Sequence, residues 1–269
     1  MSTSIRLDGR TALVSGGSRG IGYAVASALH EQGAAVALLA RDEVAAKDAA
    51  ERLIDGGQPD SALAVPVDVR DGDAVDAAVR QVHAWTGRLD IVVNCAGPRL
   101  NPAPLGQTPV SVLADALDTK LLGFLRVAQA ALPLLETTGS GRIINIAGAT
   151  AHSAVPGSAV TGVTNASVVA LTSYLATEAA ERNILVNTVS PGMTLTEGWL
   201  EKLEGMAAQQ GRTEEDVRTG MAQTLGIRLG RWAQPSEIAA TVAYLASDLA
   251  SYVTGQVVRV DGGLTRQVA

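Results

Sequence analysis

The sequence predicts an α/β fold: a single doubly wound domain with a seven-stranded parallel sheet and helices on both faces. Three observations support this prediction. Short runs rich in β-branched residues alternate with longer alanine-rich segments of helical periodicity along almost the whole chain. The short runs lack a polar residue at every second position, which is typical of strands buried on both sides. No Pro/Ser-rich linker or internal repeat interrupts the pattern, so we predict that residues 1–269 form one domain.

The predicted strands share a short apolar core with turn residues on either side. They are residues 11–15, 35–40, 62–67, 90–94, 142–147, 184–189 and 256–260. The segments between them have the apolar spacing and the alanine content of helices. These predicted helices are residues 20–33, 42–55, 71–86, 111–136, 158–182 and 236–247. Helical crossovers between successive strands place those strands parallel to one another, which predicts the doubly wound arrangement.

One segment, 195–230, breaks this alternation. A connection of about 35 residues is long for a loop and is typical of functional lids. We interpret it as a lid over a substrate, because ligands of open α/β sheets bind at the carboxyl ends of the strands, where this segment emerges. The alternative is a surface helical hairpin in which Trp199, Met206 and Met221 simply pack.

Composition and charge exclude several classes of protein. The net charge is −6 and the basic residues form no cluster, so nucleic acid is excluded as a partner. A single cysteine cannot form an internal disulfide, and the N-terminus has no apolar segment of a signal peptide. No apolar run has the length of a membrane span, and no spacing of His, Cys, Asp or Glu indicates a metal site. We therefore expect a cytoplasmic protein that binds neither membrane nor metal.

A glycine-rich segment directly follows the first predicted strand and directly precedes a helical pattern. It reads Ser15-Gly16-Gly17-Ser18-Arg19-Gly20-Ile21-Gly22. Glycines let the backbone approach a diphosphate closely, and the N–H groups and dipole of a helix N-terminus stabilise its negative charge. Strand, glycine turn and helix in this order are the context of a dinucleotide-binding fingerprint. The sequence thus predicts a Rossmann-type domain.

Five motifs in order resemble those of the classical short-chain dehydrogenase/reductase family. They are residues 15–22 (SGGSRGIG), 94–97 (NCAG), 187–192 (NTVSPG), 231–238 (RWAQPSEI) and 260–263 (VDGG). The resemblance spans the whole chain and implies an oxidoreductase that uses a nicotinamide dinucleotide and a small-molecule substrate. It also implies a homo-oligomer, a tetramer, with interfaces on helices 111–136 and 158–182. Cys95 departs from the family motif, and we interpret it as a small buried apolar residue.

The resemblance implies a set of cofactor-binding residues at the ends of successive strands. They are Ser15, Gly16, Ser18, Arg19, Gly20, Ile21, Gly22, Arg41, Asp68, Val69, Asn94, Ala96, Gly97, Pro191, Gly192, Thr194 and Thr196. Residues 15–22 would hold the diphosphate, and residues 68–69 would border the adenine. Residues 94–97 would line the ribose side, and residues 191–196 would approach the nicotinamide.

The charge at the end of the second strand predicts which dinucleotide binds. An acidic residue there selects NAD(H) through the ribose 2′-hydroxyl, whereas a 2′-phosphate needs a cation. Ala40 stands at the acidic position, Arg41 follows it, and Arg19 adds a second positive charge. We therefore predict NADP(H) over NAD(H). Asp42 argues against this choice, because it can compensate Arg41, although it can equally cap the next helix.

The residues that carry the family's chemistry are substituted. The family uses a Tyr, a Lys one helical turn later, an upstream Ser and an Asn on the preceding helix. By the resemblance, Thr161, Asn165 and Gly148 stand at the Tyr, Lys and Ser positions, and Lys120 stands at the Asn position, or Thr119 if the alignment shifts by one. A Thr hydroxyl is far less acidic than a phenol, and a neutral Asn has no ammonium charge. The standard Tyr/Lys/Ser mechanism is therefore not available.

Four residues remain as catalytic candidates: Lys120, Thr161, Asn165 and His152. Lys120 either places its ammonium near a reacting carbonyl or is an ordinary solvated lysine. His152 follows the fifth strand and titrates near neutrality, but it is equally consistent with an ordinary loop residue.

Three functions fit the sequence. The first is an NADP(H)-binding oxidoreductase with a non-standard active site, acting on a small carbonyl or alcohol. The second is a non-redox enzyme, such as a lyase or cyclase, and the third is a catalytically silent binding subunit. The fold alone does not choose among them.

Overall fold

The computed structural model describes residues 4–54 and 60–266 and contains one sheet of parallel strands. The strands are β1 (Thr11–Ser15), β2 (Ala35–Ala40), β3 (Ala62–Pro66), β4 (Ile91–Asn94), β5 (Arg142–Ile146), β6 (Leu185–Pro191) and β7 (Val257–Val260). Their order across the sheet is β3-β2-β1-β4-β5-β6-β7, and every neighbouring pair is parallel. The predicted seven-stranded parallel sheet is confirmed.

The helices follow the predicted alternation. They are α1 (Gly20–Glu31), α2 (Glu43–Ile54), α3 (Gly72–Thr86), α4 (Val110–Leu117), α5 (Gly123–Thr137), α6 (Ala159–Ala179), α7 (Glu197–Gln210), α8 (Glu214–Leu225) and α9 (Pro235–Ala246). Residue 55, the predicted last residue of the second helix, lies outside the described residues. The other helix ends lie close to their predicted positions.

One predicted helix, 111–136, is interrupted. A π-helical turn at Asp118–Leu122 separates α4 from α5. A π-helical turn holds one more residue than an α-helical turn, so it rotates the side chains that precede it relative to those that follow. The chain nevertheless stays helical from Val110 to Thr137, so the predicted helix is present with a π-helical turn inside it, which hydrophobic periodicity does not reveal.

Helices cover both faces of the sheet. Side chains of α1, α2 and α9 pack on one face, and side chains of α3, α5 and α6 pack on the other. Leu13 and Val14 of β1 are both fully buried because successive strand residues point to opposite faces. The strand order reverses between β1 and β4, so a crevice opens at the carboxyl ends of these two strands.

The predicted motif at 231–238 forms the start of α9. Arg231 donates two hydrogen bonds to the Glu237 carboxylate, at 2.7 and 2.8 Å, and Glu237 accepts a third from the Gln234 N–H at 2.8 Å. The hydrogen bond from Arg231 lowers the pKa of Glu237 to about 2. This motif therefore caps a helix and has a structural role.

Residues 195–230 form a helical hairpin, α7 and α8, with a small core of its own. Leu203, Ala207, Val217 and Trp232 are buried in it, and the Trp199 ring packs edge-on against Trp232 with centroids 5.2 Å apart. The structure thus shows the helical hairpin that the alternative interpretation predicted. Its role as a lid over substrate stays a prediction.

The segment Ala159–Arg182, which is α6 and the turn after it, is the one described helix that is long and apolar enough to cross a membrane. In the structure Val168, Leu175 and Ala179 of this helix are buried against the sheet and its neighbours. Such packing is typical of the core helix of a globular domain.

Candidate active site

The backbone after β1 lies very close to the backbone after β4. A Cβ added at Gly16 would lie 2.8 Å from the Ala96 Cα, and one added at Gly22 would lie 2.1 Å from the Gly16 carbonyl oxygen. Gly16 also has a φ of 69°, a left-handed conformation that glycine adopts readily. Glycine is therefore required at both positions. The first N–H groups of α1 have no partner within the helix, an arrangement that fits a diphosphate.

Ser15 and Asn94, two of the predicted cofactor residues, hold strand ends together. The Ser15 Oγ accepts hydrogen bonds from the Cys95 N–H at 3.2 Å and the Ala96 N–H at 3.4 Å. The Asn94 Nδ2 donates to the Asn145 Oδ1 at 2.9 Å. Both side chains are fully buried. They position the loop after β4, a role that the sequence pattern did not indicate.

The segment after β6 reaches across to the glycine loop. Pro191 ends the strand and is buried, and the Thr194 Oγ1 donates to the Gly192 carbonyl oxygen at 3.1 Å. The Thr196 Cγ2 lies 3.3 Å from a Cβ added at Gly20. The predicted residues 191–196 thus pack beside the N-terminus of α1. Ile21, another predicted residue, lies in the first turn of this helix.

The ends of β2 and β3 place charged residues at the same edge. Arg41 is exposed directly after β2. Asp68 accepts a hydrogen bond from Arg70 at 2.6 Å, and this bond, together with the charge of Arg41, lowers the pKa of Asp68. Val69 is buried, and a Cβ added at Gly123 would lie 2.8 Å from its Cγ2. The Val69 side chain therefore packs against α5, and its predicted place at the border of the adenine stays a prediction.

Arg52 is a cation beside the glycine loop that the sequence analysis missed. Its Nη2 donates to the Ser18 carbonyl oxygen at 3.4 Å, and its guanidinium carbon lies 4.1 Å from the centroid of the Tyr23 ring. Arg19 is exposed at the N-cap of α1. No sequence signal connects Arg52 with a loop so far away in the chain. Arg19, Arg41 and Arg52 therefore bring three positive charges to the end of the cleft beside the glycine loop.

Lys120 lies at the centre of the candidate catalytic site. Its ammonium donates to the Asn165 Oδ1 at 2.6 Å and to the Ala147 carbonyl oxygen at 3.1 Å. Its stem passes Gly97, with the Lys120 Cδ 4.0 Å from a Cβ added there. The Asn165 Nδ2 donates in turn to the Thr150 Oγ1 at 2.9 Å. Three predicted residues, Lys120, Asn165 and Gly97, are therefore brought together.

The π-helical turn decides between Lys120 and Thr119. Lys120 lies within this turn and reaches the ends of β4 and β5, whereas the Thr119 side chain is buried in the interior. Lys120 is the residue at the site.

The Lys120 side chain is partly buried, and its ammonium has no carboxylate partner among the described residues. Burial lowers the pKa of Lys120 to about 8, because the charged form loses solvation. Burial also raises the pKa of the neighbouring Cys95 thiol to about 11, which agrees with its interpretation as an unreactive residue. At neutral pH the site therefore holds a cation that can release its proton.

Gly148 leaves the space that Asn165 occupies. A Cβ added at Gly148 would lie 2.6 Å from the Asn165 Nδ2. Its φ of 170° is extended backbone that any residue adopts, so the requirement for glycine comes from space and not from backbone strain. A serine at 148 and the observed side chain of Asn165 exclude each other.

Two threonines adjoin this cluster. Thr161 lies one helical turn before Asn165 on α6, and its hydroxyl makes no hydrogen bond within the part of the chain that the structure describes. Thr150, which the sequence analysis did not single out, orients the Asn165 amide by accepting from its Nδ2. The Asn165 Oδ1 is thereby directed at the Lys120 ammonium. Only the fold brings Thr150 and Asn165 together.

His152 belongs to a different group of residues. Its Nε2 lies 3.0 Å from the Ser190 Oγ, and it makes no hydrogen bond to Lys120 or Asn165 in the described coordinates. Burial lowers the pKa of His152, and the nearby Arg259 charge lowers it further, against an opposing effect of Asp261. Both effects favour the neutral imidazole, and the structure does not place it in the Lys120 cluster.

Comparisons with known proteins agree with this architecture. A family model described as "Enoyl-(Acyl carrier protein) reductase" matches residues 16–265. The 3-oxoacyl-[acyl-carrier-protein] reductase FabG of Staphylococcus aureus is 34% identical over 257 residues, which cover 95% of this chain and 98% of that protein. An uncharacterized oxidoreductase of Methylorubrum extorquens is 38% identical over 266 residues, 96% of this chain and 99% of its own. The crystal structure of L-sorbose reductase from Gluconobacter frateurii, complexed with NADPH and L-sorbose, superposes with a TM-score of 0.92 at 28% identity and covers 98% of this chain and 99% of that chain.

Lysine titration tests the environment of Lys120 directly. The chain contains only Lys47, Lys120 and Lys202, so NMR of protein labelled at the lysine ¹³Cε resolves each one. We expect Lys120 to titrate near pH 8, because its charged form is desolvated. Lys47 serves as the control, since its hydrogen bond with Glu43 raises its pKa. A Lys120 midpoint above about pH 10, the range of a solvated lysine, would contradict the buried ammonium.

The mutual exclusion of residues 148 and 165 is testable by a double-mutant cycle. Gly148→Ala should lower the free energy of unfolding by about 1–3 kcal/mol, because the new Cβ overlaps the Asn165 amide. In an Asn165→Ala background the same change should have little effect, since the clashing atoms are gone. Denaturant unfolding of the four proteins measures the coupling. Equal losses in both backgrounds would show that the two side chains do not compete for space.

Proposed function

The chain belongs to the short-chain dehydrogenase/reductase family and is an oxidoreductase of that type. From this premise we propose that it is an NADP(H)-dependent enzyme that reduces a small carbonyl compound or oxidises the corresponding alcohol, at a non-standard active site centred on Lys120. The observation that carries this proposal is the buried Lys120 ammonium, bonded to Asn165 and Ala147 at the carboxyl ends of β4 and β5.

The positions of Lys120 and Asn165 support an exchange of side chains between two helices. In the proposed correspondence the family's Lys position on α6 holds Asn165, and the family's Asn position on the preceding helix holds Lys120. The two side chains are in direct contact at 2.6 Å. An ammonium is therefore kept in the site although it comes from the opposite helix. Gly148 and Thr161 complete the set of substituted positions.

Lys120 has the properties of a proton donor in this arrangement. A bound nicotinamide dinucleotide supplies the hydride. Two of the three N–H donors of the ammonium are used by Asn165 and Ala147, which leaves one for a substrate oxygen. As negative charge develops on the carbonyl oxygen, the proton moves from the Lys120 Nζ to that oxygen and leaves a neutral amine. A pKa of about 8 makes this group a far stronger acid than the Thr161 hydroxyl.

The unpaired charge also favours an enzyme over a silent binding subunit. Burial of an ammonium without a carboxylate destabilises a fold, and strongly perturbed groups of this kind concentrate at functional sites. A subunit that only bound other molecules would have no use for Lys120 at this position. The non-redox alternative would use the same lysine without hydride transfer.

The proposed preference for NADP(H) is supported by the cations at the other end of the cleft. Arg41 follows β2, where an acidic residue would select NAD(H), and Arg19 and Arg52 flank the glycine loop. None of the three forms an ion pair with a carboxylate within the described chain, so they are free to bind a 2′-phosphate. Asp42 accepts the Ala45 N–H at 3.1 Å, which favours its capping role over compensation of Arg41.

A homotetramer is part of the same proposal. Val110 on α4 is 84% exposed and Tyr174 on α6 is 72% exposed, an unusual state for large apolar side chains on helices of a globular domain. Tyr174 lies on 158–182, one of the two segments where the family resemblance implies the subunit interfaces, and Val110 directly precedes the other, 111–136.

The preference for NADP(H) can be measured through Arg41. Arg41→Ala should weaken NADPH binding about 10-fold or more and leave NADH binding nearly unchanged, because only NADPH carries the 2′-phosphate. Arg80→Ala, an exposed arginine on α3, is the matched control. Fluorescence titration gives the dissociation constants. Equal losses for both dinucleotides would argue against a role in cofactor selection.

The role of Lys120 can be measured by NADPH consumption with a panel of aldehydes and ketones. Lys120→Met should lower kcat/KM about 10²- to 10⁴-fold, because the proton donor is lost. Lys47→Met is the control. In the unmodified enzyme the reduction rate should fall as pH rises through about 8, since deprotonated Lys120 cannot donate, and alcohol oxidation should rise over the same range. NADPH binding without turnover of any carbonyl would favour the non-redox or silent alternatives.

A further inference from the structure

The Glu197 side chain contacts the N-terminus of α1, the helix that follows the glycine loop. Its Oε2 accepts a hydrogen bond from the Gly20 N–H at 3.0 Å, and the same oxygen would lie 3.6 Å from a Cβ added at Gly20. Glu197 is the first residue of α7, and Gly20 is the first residue of α1. The contact therefore links the hairpin α7–α8 to the glycine loop.

This carboxylate stands where a phosphate would be stabilised. α1 has no acidic residue in its own first turn, and its N-cap, Arg19, makes no side-chain cap. The N–H groups of this turn have no partner within the helix, so Glu197 supplies the negative charge that the helix dipole favours. A dinucleotide diphosphate favours the same place for the same reason. Two groups of equal sign then compete for one helix end.

We propose that Glu197 sets the affinity for the dinucleotide by competing with its diphosphate, and that cofactor binding releases α7 from the glycine loop. The inference rests on the proposed function, because it takes the diphosphate of a nicotinamide dinucleotide as the competitor. It goes beyond that function by assigning to one residue of the hairpin a coupling between the cofactor site and the position of α7.

A guanidinium lies beside the residue that follows Glu197. The Arg99 Nη2 would lie 4.0 Å from a Cβ added at Gly198, the residue after Glu197. Arg99 is exposed and forms no ion pair within the described residues. One turn further along α7, the Lys202 Nζ donates to the Leu100 carbonyl oxygen at 3.4 Å. These contacts place Arg99 and Lys202 beside the first two turns of α7, where their charges would attract a carboxylate released from the Gly20 N–H.

Competition predicts the direction in which removal of the charge acts. Glu197→Gln keeps an acceptor for the Gly20 N–H but removes the repulsion with the diphosphate. We expect NADPH to bind this variant about 3- to 10-fold more tightly, as measured by fluorescence titration at low salt, with the difference shrinking as salt is added. Glu197→Ala should also bind more tightly. Glu201→Gln, an exposed acid one turn along the same helix, should bind NADPH like the unmodified protein.

Hydrogen exchange gives a readout that does not depend on activity. Saturating NADPH should increase exchange at the first turn of α7 in the unmodified protein and change it little in Glu197→Ala, where the contact is already absent. Equal or weaker NADPH binding by both Glu197 variants would overturn the proposal and show that the contact instead holds the hairpin closed over the cofactor. If neither the unmodified protein nor any variant binds a dinucleotide, the proposed function fails and not this inference alone.

Discussion

The close approach of two backbone segments, after β1 and after β4, is the constraint on which the cleft depends. Gly16 lies against Ala96 with no room for a side chain, and Ser15 holds this approach with hydrogen bonds to the same loop. Since parallel strands end at one common edge, this contact also fixes where the neighbouring strand ends deliver their residues. The N-terminus of α1 and the Lys120 cluster are both placed relative to it.

Beside this contact, the candidate catalytic centre depends on how one charge is accommodated. The Lys120 ammonium is partly buried, and its acceptors among the described residues are neutral: the Asn165 amide and the Ala147 carbonyl. Thr150 orients the amide, and Gly148 leaves space for it. The residues depend on one another: the ammonium needs the Asn165 acceptor, and Asn165 needs the hydrogen bond to Thr150 and the space beside Gly148. A hydrogen-bonded network of this kind acts as a unit.

The electrostatics of the cleft differ from those of the whole chain. The chain carries a net charge of −6, yet Arg19, Arg41 and Lys120 at the carboxyl edge lack ion-pair partners in the described structure. Such an arrangement concentrates attraction for an anion in one place. Glu197 is the acidic exception at the diphosphate end, and its position on α7 connects the electrostatics of the cofactor site with the hairpin that adjoins it.

Much of the fold was predictable from sequence because its signals are local. Apolar runs and helical periodicity identified all seven strands, and the glycine segment identified the loop after β1. The site was predictable only in part. The 120 and 165 positions were identified through the family resemblance, but their direct hydrogen bond was not, and the pattern did not show that Ser15 and Asn94 join neighbouring strand ends.

By itself the sequence determined the order of elements, the need for glycine in the first loop, and the absence of a Tyr/Lys pair on α6. Only the tertiary structure decided that Lys120 and not Thr119 enters the site, because one extra residue in a π-helical turn sets the direction of the side chain without changing the hydrophobic pattern. It also decided that Thr150, Arg52 and Glu197 adjoin the cleft. These contacts join residues far apart in the chain, and periodicity reports only which face of an element is buried, not what meets it there.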